Sequence, residues 1–144
     1  MAYVAVVGPG DATKRQLQDA EAVGRGLAQA GAVLVTGGLG GVMAAASRGA
    51  AQAGGMTVGI LPGLRRDDAN EHVEVAIPTG LGELRNGLVI RAADAVIAVG
   101  GAYGTLSEVA LALKTGVPVI GLGTWEIEGV QRVGSPEEAV ERAT

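Results

Sequence analysis

A glycine-rich bend at residues 100–108, between an apolar strand and an apolar helix, constrains the fold of this chain more than any other segment. The preceding run Ala95–Val99 is entirely aliphatic, which is typical of a strand buried on both faces of a parallel sheet. The following stretch, residues 109–114, predicts a helix. Glycine tolerates a positive φ and lets a ligand approach the main chain. The free amides at the start of this helix therefore predict an anion site, most naturally for a phosphate.

Apolar strands alternate with helical stretches along the whole chain, so the sequence predicts an α/β protein. We expect a Rossmann-like, doubly wound, mostly parallel sheet with helices on both faces, formed as one domain by residues 1–144. Thr13 and Gln16 predict a capping box at the start of the first helix. The predicted strands are residues 3–7, 32–35, 57–61, 73–77, 95–99 and 118–122, and the predicted helices are residues 13–30, 42–53, 82–93 and those that follow Thr105 and Ser135.

Composition excludes several classes of protein. The chain has no cysteine and one histidine, so disulfides and thiolate or histidine metal sites are excluded and a reducing, cytoplasmic location is expected. The formal net charge is −4 and only two of the eleven basic residues are lysines, which argues against a nucleic-acid-binding surface. The uncharged residues 26–47 are interrupted by glycines, so we expect no membrane span.

Three glycine-rich turns, residues 8–10, 37–41 and 100–104, follow predicted strands. In doubly wound sheets, ligands bind beyond the carboxyl ends of the strands, where the strand order reverses. We therefore expect the three turns to meet at one crevice. The first turn resembles a dinucleotide fingerprint, but Pro9 lacks an N–H and Thr13 stands where that fingerprint has glycine or alanine, so dinucleotide binding is disfavoured.

Charged side chains near these turns have a functional and a structural interpretation. Glu108 is a candidate for stabilising positive charge or activating water, and the alternative is a capping box formed with Thr105. Arg85 is a candidate for neutralising a bound anion, and the alternative for Arg85 and Arg91 is solvated charge on a helix. Residues 62–71 are polar and charged, which is typical of a surface loop and makes them a candidate lid.

The helix predicted after Thr105 is apolar on nearly every face. A helix of this kind has to be covered on all sides. In a domain of 144 residues, a subunit interface is the expected cover, so we predict a homodimer or a higher homo-oligomer.

The motif Gly100-Gly101-x-Tyr103-Gly104-Thr105-x-x-Glu108 resembles the GGxGTxxE signature of the Lonely Guy (LOG) family, many of whose members older descriptions call lysine decarboxylases. A second motif, Thr36-Gly37-Gly38-x-Gly40-Gly41-Val42-Met43, is similar to that family's other glycine motif. The resemblance extends over roughly residues 3–122. LOG proteins include cytokinin riboside 5′-monophosphate phosphoribohydrolases.

Residues 77–86 are more similar to the branch of the family that contains the molybdenum cofactor carrier proteins. Arg85 stands at the arginine of the family's Arg-Lys pair, and Arg91 also aligns. Two positions depart from the LOG pattern, because Asn86 replaces the lysine and Val99 replaces the usual proline. The carrier branch shares the fold and binds an anionic phosphorylated pterin.

The resemblance implies roles for individual residues. Arg85 and Glu108 are the catalytic candidates by this resemblance. The phosphate- and ligand-binding candidates are Gly8, Thr36, Gly37, Gly38, Gly40, Gly41, Arg85, Asn86, Gly100, Gly101, Gly104 and Thr105. A lysine decarboxylase is not expected, because neither Lys14 nor Lys114 lies in a pocket motif suited to a pyridoxal Schiff base.

Three functions remain open on the sequence. The first is binding of a phosphorylated, nucleotide-like small molecule, with the molybdenum cofactor (molybdopterin) or a nucleotide as ligand and no required cofactor. The second is a phosphoribohydrolase that cleaves the N-glycosidic bond of nucleoside 5′-monophosphates of the cytokinin riboside or AMP type. The third is a decayed site in a protein that only assembles with partners. The carrier-branch resemblance favours binding.

Overall fold

Seven parallel strands form a single sheet in the computed structural model, which describes residues 1–144. The strands are β1 Tyr3–Val7, β2 Val33–Thr36, β3 Thr57–Leu61, β4 Val75–Pro78, β5 Ala95–Val99, β6 Val119–Leu122 and β7 Gln131–Arg132. The helices are α1 Lys14–Gln29, α2 Val42–Gln52, α3 Asn86–Arg91, α4 Tyr103–Thr115 and α5 Pro136–Ala143. Two short 3₁₀ turns, Arg66–Asp68 and Gly82–Arg85, complete the regular structure.

The strands lie in the order β4-β3-β2-β1-β5-β6-β7, and all neighbouring strands are parallel. The sheet grows outward from β1 to β4 on one side, and the chain then crosses back to add β5, β6 and β7 on the other. The strand order therefore reverses between β1 and β5, which is where doubly wound folds bind ligands. The predicted Rossmann-like α/β fold is confirmed.

The helices cover the two faces of the sheet unequally. Helices α1, α2 and α5 pack on one face over a core of 16 buried residues, whereas α3 and α4 cover the other face over a core of 12. On this second face, Val75 and Ile77 of the edge strand β4 pair in register with Val58 and Ile60. Their side chains stay 41% and 45% exposed, so part of this face is open in a single chain. None of the helices is both long and apolar enough to span a bilayer.

Local capping signals set the ends of two helices. Thr13 is the N-cap of α1: its hydroxyl accepts a hydrogen bond from the Gln16 N–H, and the Gln16 side chain accepts one from the Thr13 N–H. The predicted capping box is confirmed. Ser135 caps α5 by accepting a hydrogen bond from the Glu138 N–H, with Pro136 at the first helical position, where its missing N–H is not needed.

Helix α4 begins at Tyr103, earlier than the sequence indicates. Gly100 has a φ of +71° and turns the chain so that Ala102, in extended conformation, becomes the N-cap. The predicted capping box of Thr105 and Glu108 is therefore wrong, because Thr105 lies inside the first turn and Glu108 in the second. No side chain caps this helix.

Two further elements differ from the prediction. Residues 82–93 form a 3₁₀ turn followed by the short helix α3, and Arg85 stands at the junction. Strand β7 was not predicted, because two exposed polar residues carry no apolar pattern that marks a strand. The other predicted boundaries differ from the structure by no more than two residues.

Candidate functional site

A cleft of about 230 Å³ opens at the carboxyl ends of β1, β2 and β5, beside the point where the strand order reverses. Its lining combines glycine-rich backbone with four polar side chains, two from the junction of the 3₁₀ turn with α3 (Arg85 and Asn86) and two from α4 (Thr105 and Glu108). The lining residues are Val6, Val7, Gly8, Pro9, Gly10, Gly37, Met43, Arg85, Asn86, Ala102, Gly104, Thr105 and Glu108. We call this space the cleft.

Arg85 crosses the cleft from the start of α3 to the loop after β2. Its side chain is 8% exposed, and Nη2 donates a hydrogen bond to the Gly37 carbonyl at 3.3 Å. A Cβ at Gly37 would lie 2.8 Å from Cζ of Arg85, so glycine is needed there for the guanidinium to pass. The alternative that Arg85 is a solvated charge is wrong, whereas Arg91, at the end of α3, is exposed.

Asn86 holds the guanidinium from its other side. Its Oδ1 accepts a hydrogen bond from Nη1 of Arg85, and its Nδ2 donates one to Oγ of Ser107 at 3.4 Å. Nε of Arg85 is buried and has no hydrogen-bond partner. A buried, unpaired N–H of a cation is costly unless a ligand or water accepts its hydrogen bond.

Helix α4 directs unsatisfied donors into the same space. Ala102 makes no side-chain cap, so the first N–H groups of the helix are free to bind an anion at the positive end of the helix dipole. Thr105 is 2% exposed, and its Oγ1 has no hydrogen-bond partner. Gly104, one residue earlier, has no atom within 4 Å of a built Cβ, so this part of the cleft wall is open.

Glu108 lies one turn further along α4 and is 8% exposed. Burial raises the pKa of Glu108 to about 7, because removal from water disfavours the carboxylate, and the Arg85 charge offsets only part of this rise. Burial also lowers the pKa of Arg85, an effect that Glu108 opposes. The cleft therefore presents a fixed cation next to a carboxyl group that changes charge near neutrality.

An aromatic pair, Tyr103 and Trp125, contacts the start of α4. Nε1 of Trp125 donates a hydrogen bond to the Ala102 carbonyl at 3.1 Å, and the Trp125 ring stacks on Tyr103 with centroids 6.2 Å apart. A Cβ at Gly101 would lie 2.9 Å from Nε1 of Trp125. Gly101 therefore lets the indole, the single tryptophan of the chain, hold this loop in place.

Seven of the residues predicted from the sequence meet in the cleft: Gly8, Gly37, Arg85, Asn86, Gly104, Thr105 and Glu108. The six other predicted residues do not line the cleft: Thr36, Gly38, Gly40, Gly41, Gly100 and Gly101. Of these, Thr36 has a structural role, because its buried hydroxyl accepts a hydrogen bond from the Gly38 N–H at 3.0 Å. The lining residues that the prediction missed are Val6, Val7, Pro9, Gly10, Met43 and Ala102.

Sequence signals for some of the missed residues existed. Pro9 and Gly10 belong to the first glycine-rich turn, and Met43 lies in the second glycine motif. The candidate lid is tied to that same motif: Asn70 donates from its backbone N–H to the Gly38 carbonyl at 2.9 Å and from Nδ2 to the Leu39 carbonyl at 2.9 Å.

Two larger grooves adjoin the cleft. The α1–α2 groove, about 700 Å³, is lined by Gly10, Asp11, Ala12, Lys14, Leu17, Gln18, Glu21, Gly41, Ala44, Ala45, Arg48 and His72. The α3–α4 groove, about 610 Å³, is lined by Glu83, Leu84, Asn86, Gly87, Tyr103, Gly104, Ser107 and Leu111. The first shares Gly10 with the cleft, and the second shares Asn86 and Gly104.

Comparison with known proteins gives consistent matches over the whole chain. The model of the SLOG cluster4 family matches residues 1–144. The molybdenum cofactor binding protein of the phototrophic bacterium Rippkaea orientalis is 41% identical, with a TM-score of 0.93 over 98% of this chain and 94% of that one. The molybdenum cofactor carrier protein of Chlamydomonas reinhardtii is 35% identical, with a TM-score of 0.88 over 98% and 94%. An uncharacterised protein of Archaeoglobus fulgidus is 43% identical over 138 residues, which are 95% of this chain and 91% of that protein.

Proposed function

This chain belongs to the SLOG cluster4 family, and we propose that its cleft binds a phosphorylated pterin-type molecule such as the molybdenum cofactor and carries it without cleaving it. The observation that carries the proposal is the pair of buried, unpartnered donors, Nε of Arg85 and Oγ1 of Thr105, in one cleft. Both residues line the cleft together with Ala102 and Gly104 of the α4 start, and such a donor set fits the oxygens of a phosphate. The names of the two carrier-type structures at 41% and 35% identity support the same ligand class.

Binding is favoured over hydrolysis by the surroundings of Arg85. The LOG resemblance places a lysine where this chain has Asn86. Here Asn86 accepts a hydrogen bond from Arg85. Residue 86 therefore orients the Arg85 guanidinium but contributes no second positive charge. Glu108 is protonated in a large share of molecules at pH 7, and a neutral carboxyl avoids repulsion with an anionic ligand.

A phosphoribohydrolase is the second candidate, and Glu108 favours it. Cleavage of an N-glycosidic bond develops positive charge on the ribose, and a fixed carboxylate beside the bound phosphate would stabilise that charge and accept a proton from water. This role requires the ionised form, which dominates above about pH 7. Incubation with AMP at pH 8, followed by chromatography, separates the two functions: the carrier releases no adenine, whereas the hydrolase does, and Glu108→Gln abolishes the release.

The binding proposal is tested by titrating the purified protein with molybdenum cofactor under anaerobic conditions and following Trp125 fluorescence. We expect Arg85→Gln to weaken binding by about 10- to 100-fold, the usual loss for a buried hydrogen bond to a charged group. Arg91→Gln removes an equal charge from the exposed end of the same helix and should leave the affinity within about twofold. Equal affinities of native protein and Arg85→Gln would overturn the proposal.

We also propose that a second copy of the chain covers α3 and α4. Leu81, Leu84 and Leu88 follow one another at helical spacing and are 47%, 78% and 41% exposed. Tyr103, on α4, is 85% exposed. Exposed apolar side chains in such a cluster mark an interaction surface, and a self-complementary patch is the usual basis of a homodimer.

A further inference from the structure

We propose that the α1–α2 groove is a second subsite, which holds a distal anionic group of an extended ligand whose phosphate lies in the cleft. The inference rests on the proposed function, since it concerns the part of the ligand that the cleft does not enclose. It assigns a binding role to Lys14 and Arg48, which neither the glycine motifs nor the cleft includes.

The size of the cleft requires that part of a ligand extends beyond it. Sites that enclose small molecules usually measure about 300–1,000 Å³, whereas the cleft measures about 230 Å³. The cleft therefore fits a phosphate and its immediate attachment, and the two grooves that share lining residues with it offer space for the remainder.

Electrostatics distinguishes the two exits. The α1–α2 groove contains Lys14, Arg48 and His72, together with the carboxylates of Asp11 and Glu21. The charged residue of the α3–α4 groove is an acid, Glu83, and its remaining walls include Leu84, Tyr103 and Leu111. An anionic group is repelled from the second groove, which is also the surface that we assign to a second copy.

Helix dipoles add positive potential to the α1–α2 groove. Lys14 is the first residue of α1, and Gly41 is the N-cap of α2, so two long helices begin at this groove. Each helix start carries roughly half a positive charge. The cations Lys14 and Arg48 equal the carboxylates Asp11 and Glu21 in number, and the two helix starts add positive potential to this balanced set.

The groove is held in shape by contacts among its walls. Nε of Arg48, on α2, lies 3.6 Å from a carboxylate oxygen of Glu21, on α1, and this contact links the two helices beside the groove. Asn70 anchors the His72 segment, because its Oδ1 accepts a hydrogen bond from the His72 N–H at 3.0 Å while its amide binds the Gly38 loop. Gly10 lines both the cleft and the groove, and the space on its side-chain side is open, since nothing lies within 4 Å of a Cβ built there.

A matched pair of probes tests the subsite: AMP, with one phosphate, and adenosine 3′,5′-bisphosphate, with two phosphates separated by the ribose. Isothermal titration of the native protein should give roughly 5- to 20-fold tighter binding of the bisphosphate, the expected contribution of one charge-assisted hydrogen bond. Lys14→Gln/Arg48→Gln should abolish this preference and leave AMP affinity within about twofold. Raising the salt concentration should also reduce the preference, because both cations are exposed.

Arg15→Gln/Arg25→Gln is the control, because it removes two positive charges from α1 outside the groove. It should keep the preference for the bisphosphate. The subsite is overturned if AMP binds the native protein and the bisphosphate binds no more tightly. It is also overturned if both double variants lose the preference for the bisphosphate equally. In either case the proposal that the cleft binds a phosphate stands. If neither probe binds the native protein, the phosphate-binding cleft fails and the subsite fails with it.

Discussion

Glu108 and Arg85 occupy one cleft, and the attraction between their opposite charges does not compensate the burial of either residue. Burial dominates the pKa shift of both residues: it raises the pKa of Glu108 and lowers that of Arg85. Burying two charged groups while hydrogen-bond donors stay unpaired lowers the stability of the folded chain when no ligand is bound. Their retention at the strand ends is understandable if a ligand supplies the missing hydrogen bonds.

The raised pKa of Glu108 predicts a pH dependence of stability. The folded chain keeps the proton to about pH 7, whereas the unfolded chain loses it near 4.5. The folded state binds more protons than the unfolded state between about pH 4.5 and about pH 7. The free energy of unfolding therefore falls by about 2–3 kcal/mol as the pH rises through this window. At higher pH the contribution of Glu108 no longer changes. Urea titrations at pH 5 and pH 8 measure the difference.

Glu108→Gln cannot titrate, so it should lack that part of the pH dependence. Glu83→Gln, an exposed acid just before α3, is the matched control and should behave as native. The same loss of stability between pH 5 and pH 8 in native protein and Glu108→Gln would contradict the assignment to this carboxyl group.

At the scale of elements, two glycine residues allow α1 and α2 to pack with their backbones in direct contact. A Cβ at Gly49 would collide with the Glu21 carbonyl, and one at Gly24 would collide with the Ala46 carbonyl. Glycine at these two positions lets the helix backbones touch. The close approach holds α2 against α1, and the loop that contains Gly37 leads directly into α2.

Gly49→Ala should therefore destabilise the protein by roughly 1–3 kcal/mol, because the new methyl group forces the two helices apart. Gly87→Ala in α3 is the control: its Cβ would meet only Cδ2 of Leu111 at an ordinary 3.5 Å. That variant should be neutral or stabilised by about 0.5–1 kcal/mol, as expected for glycine replaced within a helix. Chemical denaturation measures both, and equal effects would contradict the packing argument.

At the scale of the whole molecule, the sheet is covered by three helices on one side and two on the other. We expect Leu84→Glu/Leu88→Glu to convert a homo-oligomer into monomer, because two carboxylates cannot be buried against an apolar partner surface. Leu17→Glu changes an exposed leucine of α1, on the opposite side of the sheet, and should leave the assembly intact. Light scattering after gel filtration gives the mass of each, and a monomeric native protein at micromolar concentration would refute the interface.

Much of the fold follows from short-range patterns. β1, β3 and β5 match the predicted strands because their aliphatic runs end at glycine or proline, which stop a strand within one or two residues. The start of α4 was misplaced for a physical reason. Thr105 and Glu108 have the spacing of a capping box, but the positive φ of Gly100 and the Trp125 contact with Ala102 start the helix earlier.

By itself, the sequence determined the alternation of strands and helices, the parallel doubly wound class and the set of glycine turns at strand ends. These depend on apolar periodicity and on the conformations that glycine and proline permit, which are properties of neighbouring residues. The tertiary structure alone decided which predicted residues line the cleft and which do not. That division depends on contacts across the chain, such as Arg85 with Gly37, 48 residues apart, and no local pattern encodes where such distant segments meet.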